Sequence, residues 1–140
     1  MTVTTKTPVF ISFDYDHDDD LRVLLLGQAK HHDTPFSFVD WSIKNETQGW
    51  KADARKRIKR SDLVIVICGH NTHQAVGVSE EIAIARDEGV PFHLLRGRKD
   101  GWVRKPQGTS WFWDELHAWT WDNISSMCTI KPQSWWKRIW

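Results

Sequence analysis

The sequence predicts an α/β domain with a five-stranded, mostly parallel sheet and helices on both faces. Three observations carry that prediction. Leu63-Val64-Ile65-Val66-Ile67-Cys68 is an unbroken apolar run rich in β-branched residues, which suits a strand buried on both faces at the centre of a parallel sheet. After a polar loop, Val78, Ile82 and Ala85 recur at helical spacing as far as Gly89, a residue suited to the left-handed turn that ends helices. Val90-Pro91-Phe92-His93-Leu94-Leu95 then reads as the next strand. Strand and helix patterns alternate throughout, and every crossover is long enough for a parallel connection.

In chain order, Val9-Phe10-Ile11-Ser12-Phe13 is the first strand, followed by the acidic segment Asp14-Tyr15-Asp16-His17-Asp18-Asp19-Asp20. Leu21, Leu24, Leu25 and Gln28 share one face of the first helix, widened by Val23 and Leu26, with Asp18 as its N-cap. The His31-His32-Asp33-Thr34-Pro35 turn leads to a second strand, Phe36 to Asp40, and a loop over 41–49. Trp50, Ala54 and Ile58 mark a second helix, whose other positions are largely Lys and Arg. Beyond the central unit comes a Gly- and Lys/Arg-containing loop over 97–108. A short helix is expected over Trp111–His117, a fifth strand over Ala118-Trp119-Thr120-Trp121, and a terminal helix from Asp122. No repeat or linker divides the chain, so residues 1–130 read as one domain. The aromatic and basic tail 131–140 stands apart, and an interface, a membrane surface and packing back on the domain all suit it.

Bulk properties exclude several classes. At 140 residues the chain fits one domain able to bury about two-thirds of its unfolded surface. Nineteen Lys and Arg against 18 Asp and Glu leave a formal charge of +1, which gives no global nucleic-acid signal. No apolar run approaches the roughly 20 residues of a membrane span, and the N-terminus has no signal-peptide core, so a cytoplasmic protein is expected. Cys68 and Cys128 read as reduced thiols. Ten tryptophans, eight of them after residue 101, load the second half with aromatic surface.

The alternation predicts the flavodoxin-like strand order 2-1-3-4-5, whose switch point falls between strands 1 and 3. The loops leaving those strands, residues 14–18 and 69–77, would then form one crevice, with Ser12, Phe13, Asp14, His70, Asn71, Thr72 and the start of the helix that carries Glu80 and Glu81 around it. A first-turn Glu is also an ordinary helix-dipole partner. Asp14-x-Asp16-x-Asp18 matches the first half of a calcium loop, but Asp19 replaces its glycine and Leu25 its bidentate Glu, so an EF-hand is excluded. Helix capping or a loose Mg²⁺ site accounts for those acids. Cys68, His70 and His73 lack a fourth ligand at zinc spacing. GxGxxG and GxxxxGK[ST] are absent, and Cys68-Gly69-His70 stand where a phosphoacceptor Asp would close strand 3. Cys68 reads as a core residue rather than a nucleophile. The basic helix 51–60 reads as a solvated face, with phosphate contact as the rival.

Several blocks in this order resemble the TIR-like proteins of the Thoeris antiphage defence system: Phe10-Ile11-Ser12-Phe13-Asp14-Tyr15, Trp50 to Ile67, Gly77-Val78-Ser79-Glu80-Glu81-Ile82-Ala83-Ile84-Ala85, and Gly89-Val90-Pro91. The resemblance runs from about residue 9 to 124. It implies a flavodoxin-like TIR-type fold and cleavage of NAD⁺ at the nicotinamide–ribose bond, with no metal required. Many TIR enzymes carry Ser-x-Trp-Cys-x-x-Glu on the helix after strand 3. Aligned on its glutamate, this chain reads Ala75-Val76-Gly77-Val78-Ser79-Glu80-Glu81, so Glu81 takes the catalytic position while the Ser, Trp and Cys are replaced. Glu80 is the competing carboxylate. Phe13 and Asp14 match the part of the pattern that lines the nucleotide site. Ser12, Asn71, Thr72 and Asp40, which closes the second strand, are counted with them as candidate cofactor-binding residues.

The resemblance further implies a cyclic ADP-ribose-type or ADP-ribose-conjugate product that activates a separate effector, a phage-derived trigger, and self-association. A non-catalytic TIR-like adaptor or nucleotide-binding module is the other function class that these residues fit.

Overall fold

The computed structural model describes residues 6–38, 48–110 and 112–129. Strand β1 (Thr7–Ser12) leads to helix α1 (Asp19–Ala29), β2 (Phe36–Phe38), α2 (Trp50–Lys59) and β3 (Leu63–Cys68). A single 3₁₀ turn (Thr72–Gln74) precedes α3 (Val76–Asp87), and β4 (Phe92–Arg96), β5 (Leu116–Ala118) and α4 (Trp121–Thr129) complete the order. The strands lie in the sequence β2-β1-β3-β4-β5, and all four pairings are parallel. The expected flavodoxin-like α/β architecture is therefore present, with β3 at its centre.

Every residue of β3 is buried, as its lack of polar alternation requires. Side chains alternate across the sheet with a period of two, and two apolar layers result. Val9, Ile11, Leu63, Ile65, Ile67 and Leu95 face Leu21 and Leu25 of α1 and Ile124 and Met127 of α4. Phe10, Val64, Val66, Cys68 and Leu94 face Ala54 and Ile58 of α2 and Val78, Ile82, Ile84 and Ala85 of α3. Ser12 follows Phe10 at the same parity, which directs it towards α3. Helix α3 ends in a Schellman arrangement: the Val90 N–H donates to the Ala85 carbonyl at 2.8 Å and the Gly89 N–H to Arg86 at 3.2 Å. Gly89 has φ +71°, the conformation that made it a predicted terminator.

Four details differ from the sequence reading. Val23 and Leu24 are 55% and 60% exposed. The buried stripe of α1 runs through Leu21 and Leu25 and leans towards half-buried Ala29, so Leu24 falls on its other flank and Val23 on the far side. The expected helix over 111–117 is replaced by a turn at 112–114 and the start of β5. There the Ser110 hydroxyl accepts the N–H groups of Phe112 and Trp113, and the Asp114 carboxylate accepts the N–H of Ser110 at 2.6 Å. Side chains that satisfy local N–H groups in this way compete with helix formation. Strand β5 therefore begins at Leu116, paired with Leu94, and Trp119 and Trp121 lie outside it. Asp18 does precede α1, but without a side-chain cap bond.

The basic helix α2 lies beside α3, and its cations meet carboxylates there. Arg55 bonds both Asp87 (2.6 Å) and Glu88, Lys59 lies 3.9 Å from Glu88, and Lys51 lies 3.5 Å from Glu80. These contacts fit the solvated-face reading rather than an open phosphate surface. Much aromatic surface stays in water: Trp102, Phe112 and Trp113 are 73–84% exposed. Asp40, as well as the tail over 131–140, lies outside the described residues.

Candidate active site

Parallel strands place all their carboxyl ends at one edge, and α2 and α3 begin at that same edge. Between β1 and β3 this creates a cleft of about 600 Å³, within the range of small-molecule sites. One wall is the turn leaving β1 (Phe13 to His17). Opposite it are Asn71, Gln74 and the start of α3 (Ala75 to Gly77), while Trp50 and Lys51 from the first turn of α2 close the side.

The β1 turn is internally braced. The Asp14 carboxylate pairs with His17 Nδ1 at 2.7 Å and accepts the Asp16 N–H at 3.2 Å. Phe13 and Tyr15 stack with centroids 5.3 Å apart, and the Arg22 guanidinium lies 5.8 Å above the Phe13 ring. From outside, Arg98 donates to the His17 carbonyl (3.0 Å), to Asp18 (3.1 Å) and to both oxygens of Asp20 (2.8 Å each). That cation holds the Asp20 carboxyl below the usual range. Burial pushes the Asp18 carboxyl up despite the same guanidinium, and its Oδ2 has no hydrogen-bond partner among the described residues.

Glu81 lies deeper. It is buried in the second turn of α3, where its Oε1 accepts the Ser12 hydroxyl at 2.8 Å. Desolvation raises its pKa to about 8, opposed only by that hydrogen bond. Neither Glu81 nor Ser12 is among the residues lining the cleft. Gly77, four positions earlier on α3, does line it, and four residues of helix rise about 6 Å. The carboxyl thus sits behind the wall that Gly77 forms. Glu80 turns outward to Lys51.

The shared crevice predicted from topology exists, but it does not gather every candidate. Phe13, Asp14 and Asn71 line it; Ser12 and Glu81 form a pair behind it. Thr72 is fully buried, and its hydroxyl accepts the Gly69 N–H at 2.7 Å, so it holds the turn instead of facing the cleft. His70 turns away to the Asp100 carbonyl, 2.6 Å distant. Gln74 to Gly77 belong to the loop leaving β3 that was expected to form the crevice, and they line it. Trp50 and Lys51 were missed, although the signal was available, because a helix that follows a parallel strand starts at the ligand-binding edge.

The remaining chemical readings resolve simply. Cys68 is buried within β3, and desolvation pushes its thiol up to about 12, which leaves no reactive thiolate. Among the described residues, neither Cys68, His70 and His73 nor the acids of the β1 turn bring three ligand atoms together.

A doubly wound sheet with its cleft at the switch point, walled by the turns of β1 and β3, defines a flavodoxin-like TIR-type domain. The family model for the Thoeris protein ThsB, TIR-like domain, matches residues 10–97, and the chain belongs to that family. Membership gives it a TIR-type role in antiphage defence. No curated protein matches the chain. Among the described residues, no helix is long and apolar enough to cross a membrane.

Proposed function

We propose that this domain cleaves NAD⁺ at the nicotinamide–ribose bond, with Glu81 as the carboxylate that acts on the ribose, and releases an ADP-ribose-derived signal for a separate effector. The observation that carries the proposal is the buried Ser12–Glu81 pair behind the switch-point cleft. Burying an acid in a hydrophobic layer is destabilising even with one hydroxyl partner, and perturbed acids of this kind cluster at functional sites.

The chemistry fits the residue. As the glycosidic C–N bond breaks, its electron pair leaves with the nicotinamide nitrogen and positive charge spreads over the ribose C1 and ring oxygen. A nearby carboxylate stabilises that charge and orients the sugar hydroxyls. A cationic pyridinium beside Glu81 favours its ionised form, so the anion develops where it is needed. Water or another nucleophile then captures the ribosyl cation. The cleft is polarised in the same sense: Asp14 and Asp16 lie on the β1 wall and Lys51 at the side. A dinucleotide with a cationic nicotinamide and an anionic pyrophosphate matches that layout. In this structure the carboxyl lies deeper than the lining residues, so the proposal requires the cleft to open inward when the dinucleotide binds.

The same depth favours a second reading, a nucleotide-binding or docking module without turnover, in which Glu81 is a structural acid. Mass spectrometry of NAD⁺ incubations, with and without extract from phage-infected cells, separates the two. The first reading expects nicotinamide release that Glu81→Gln lowers at least 100-fold while nucleotide binding persists. Full turnover in Glu81→Gln, with loss in Glu80→Gln, transfers the role to Glu80. Binding of NAD⁺ without cleavage under every condition favours the docking module.

A further inference from the structure

At the opposite edge of the sheet, where the strands begin, α1 runs out into the turn His31-His32-Asp33. We propose that this turn is a binding site for a divalent transition metal of the zinc class. One ligand atom from each of the three side chains lies within 4.8 Å of the others. Asp33 supplies both contacts through its two oxygens: Oδ1 is 3.3 Å from His32 Nε2, and Oδ2 is 4.0 Å from His31 Nδ1. A tetrahedral zinc with ligand bonds of about 2.0–2.1 Å separates its ligand atoms by roughly 3.3–3.4 Å. One edge of that tetrahedron is therefore already set; the other ligand atoms, up to 4.8 Å apart, close by up to about 1.5 Å when the two exposed imidazoles turn out of their stack towards one ion.

The donor set selects the cation. Two imidazoles and one carboxylate suit zinc, nickel, cobalt or copper and disfavour magnesium or calcium, which prefer oxygen ligands. Three protein ligands leave a fourth position open to water.

The turn that carries them is held from several sides. The Lys6 ammonium donates to the carbonyls of Ala29 and His31, each at 3.1 Å. The Thr34 N–H donates to the His31 carbonyl at 3.1 Å, and the Thr34 hydroxyl bonds the Gln28 carbonyl. The edge of Trp121 meets His31 at 6.4 Å. Backbone order of this kind lowers the entropy lost on ligation. The Asp33 N–H donates to His31 Nδ1 at 3.2 Å, which places a lone pair on the nitrogen that a metal would take. Ligation replaces that single exposed hydrogen bond. Consecutive ligands match no standard zinc spacing, so the sequence alone gave no sign of the site.

Calorimetry and cobalt absorption on tag-free, full-length protein test the proposal. The expected result is one Zn²⁺ per chain with a dissociation constant in the micromolar range, and Co²⁺ bands in the visible characteristic of low coordination number. His31→Ala and His32→Ala should each weaken Zn²⁺ at least tenfold with unchanged circular dichroism, and Asp33→Asn should do so more mildly. Imidazole and backbone signals of residues 30–34 should shift in NMR spectra on titration. Millimolar affinity, several equal sites per chain, or tight binding that survives both histidine variants would overturn it. NAD⁺ turnover is not used as a readout, so the outcome is independent of the role of Glu81.

Discussion

At the residue scale, Glu81 links stability to pH. Its folded pKa of about 8 stands above the ordinary 4.5 because burial penalises the anion. Below pH 4.5 both folded and unfolded chains carry the proton, and this group does not oppose folding. Between 4.5 and 8 only the folded chain retains it, so stability is lost as pH rises across that window and the loss levels off above it. The slope is at most about 1.4 kcal/mol per pH unit, for a total on the order of a few kcal/mol. Glu81→Gln removes this dependence. Urea melts of both proteins from pH 4 to 9 should show the variant gaining steadily on the wild type, whereas parallel curves would show that Glu81 ionises freely. Under the proposed function, activity runs the other way. If the anion is the working form, kcat/KM for NAD⁺ should climb as pH rises through about 8, because that parameter reports the free enzyme. A residue that weakens the fold as it ionises would, under the proposed function, illustrate the usual tension between stability and function.

At the element scale, the turn after β3 depends on a residue that adds no side chain. A Cβ at Gly69 would lie 2.4 Å from both carboxylate oxygens of Asp18, an acid that is itself buried and pinned by Arg98. Gly69→Ala is expected to destabilise by roughly 1–3 kcal/mol, as overpacking does, and to displace the β1 turn, visible as a fall in thermal midpoint and shifted backbone NMR signals over residues 13–17. Sequence patterning revealed elements where one driving force dominated. The uninterrupted β-branched run of β3 and the Gly89 terminator are examples. Patterning misled where polar side chains intervened, as at Ser110 and Asp114, or where a helix buries only a narrow stripe, as α1 does. For the cleft, topology identified the two turns correctly. It could not distinguish side chains that face the cavity from those, such as Thr72, spent on bracing the turn.

At the scale of the whole molecule, β3 joins the two apolar layers. Ile65 is fully buried against the α1 and α4 layer. Its truncation to alanine should cost about 2–5 kcal/mol, a large share of the 5–15 kcal/mol typical of a domain. A single cooperative denaturant transition shifted to a lower midpoint, reported alike by tryptophan fluorescence and circular dichroism, would show that the layers unfold together; two separate transitions would show that they do not.

The cleft has a bearing on biosynthesis. Its facing walls come from residues 13–17 and 71–77, stretches more than fifty positions apart that meet only because β1 lies alongside β3. A nascent chain that has emerged only through the first two helices has no cleft of this kind. Any ligand of the cleft, NAD⁺ under the proposed function, would engage only molecules whose central strand has already docked, and by mass action it would draw late intermediates towards the finished domain.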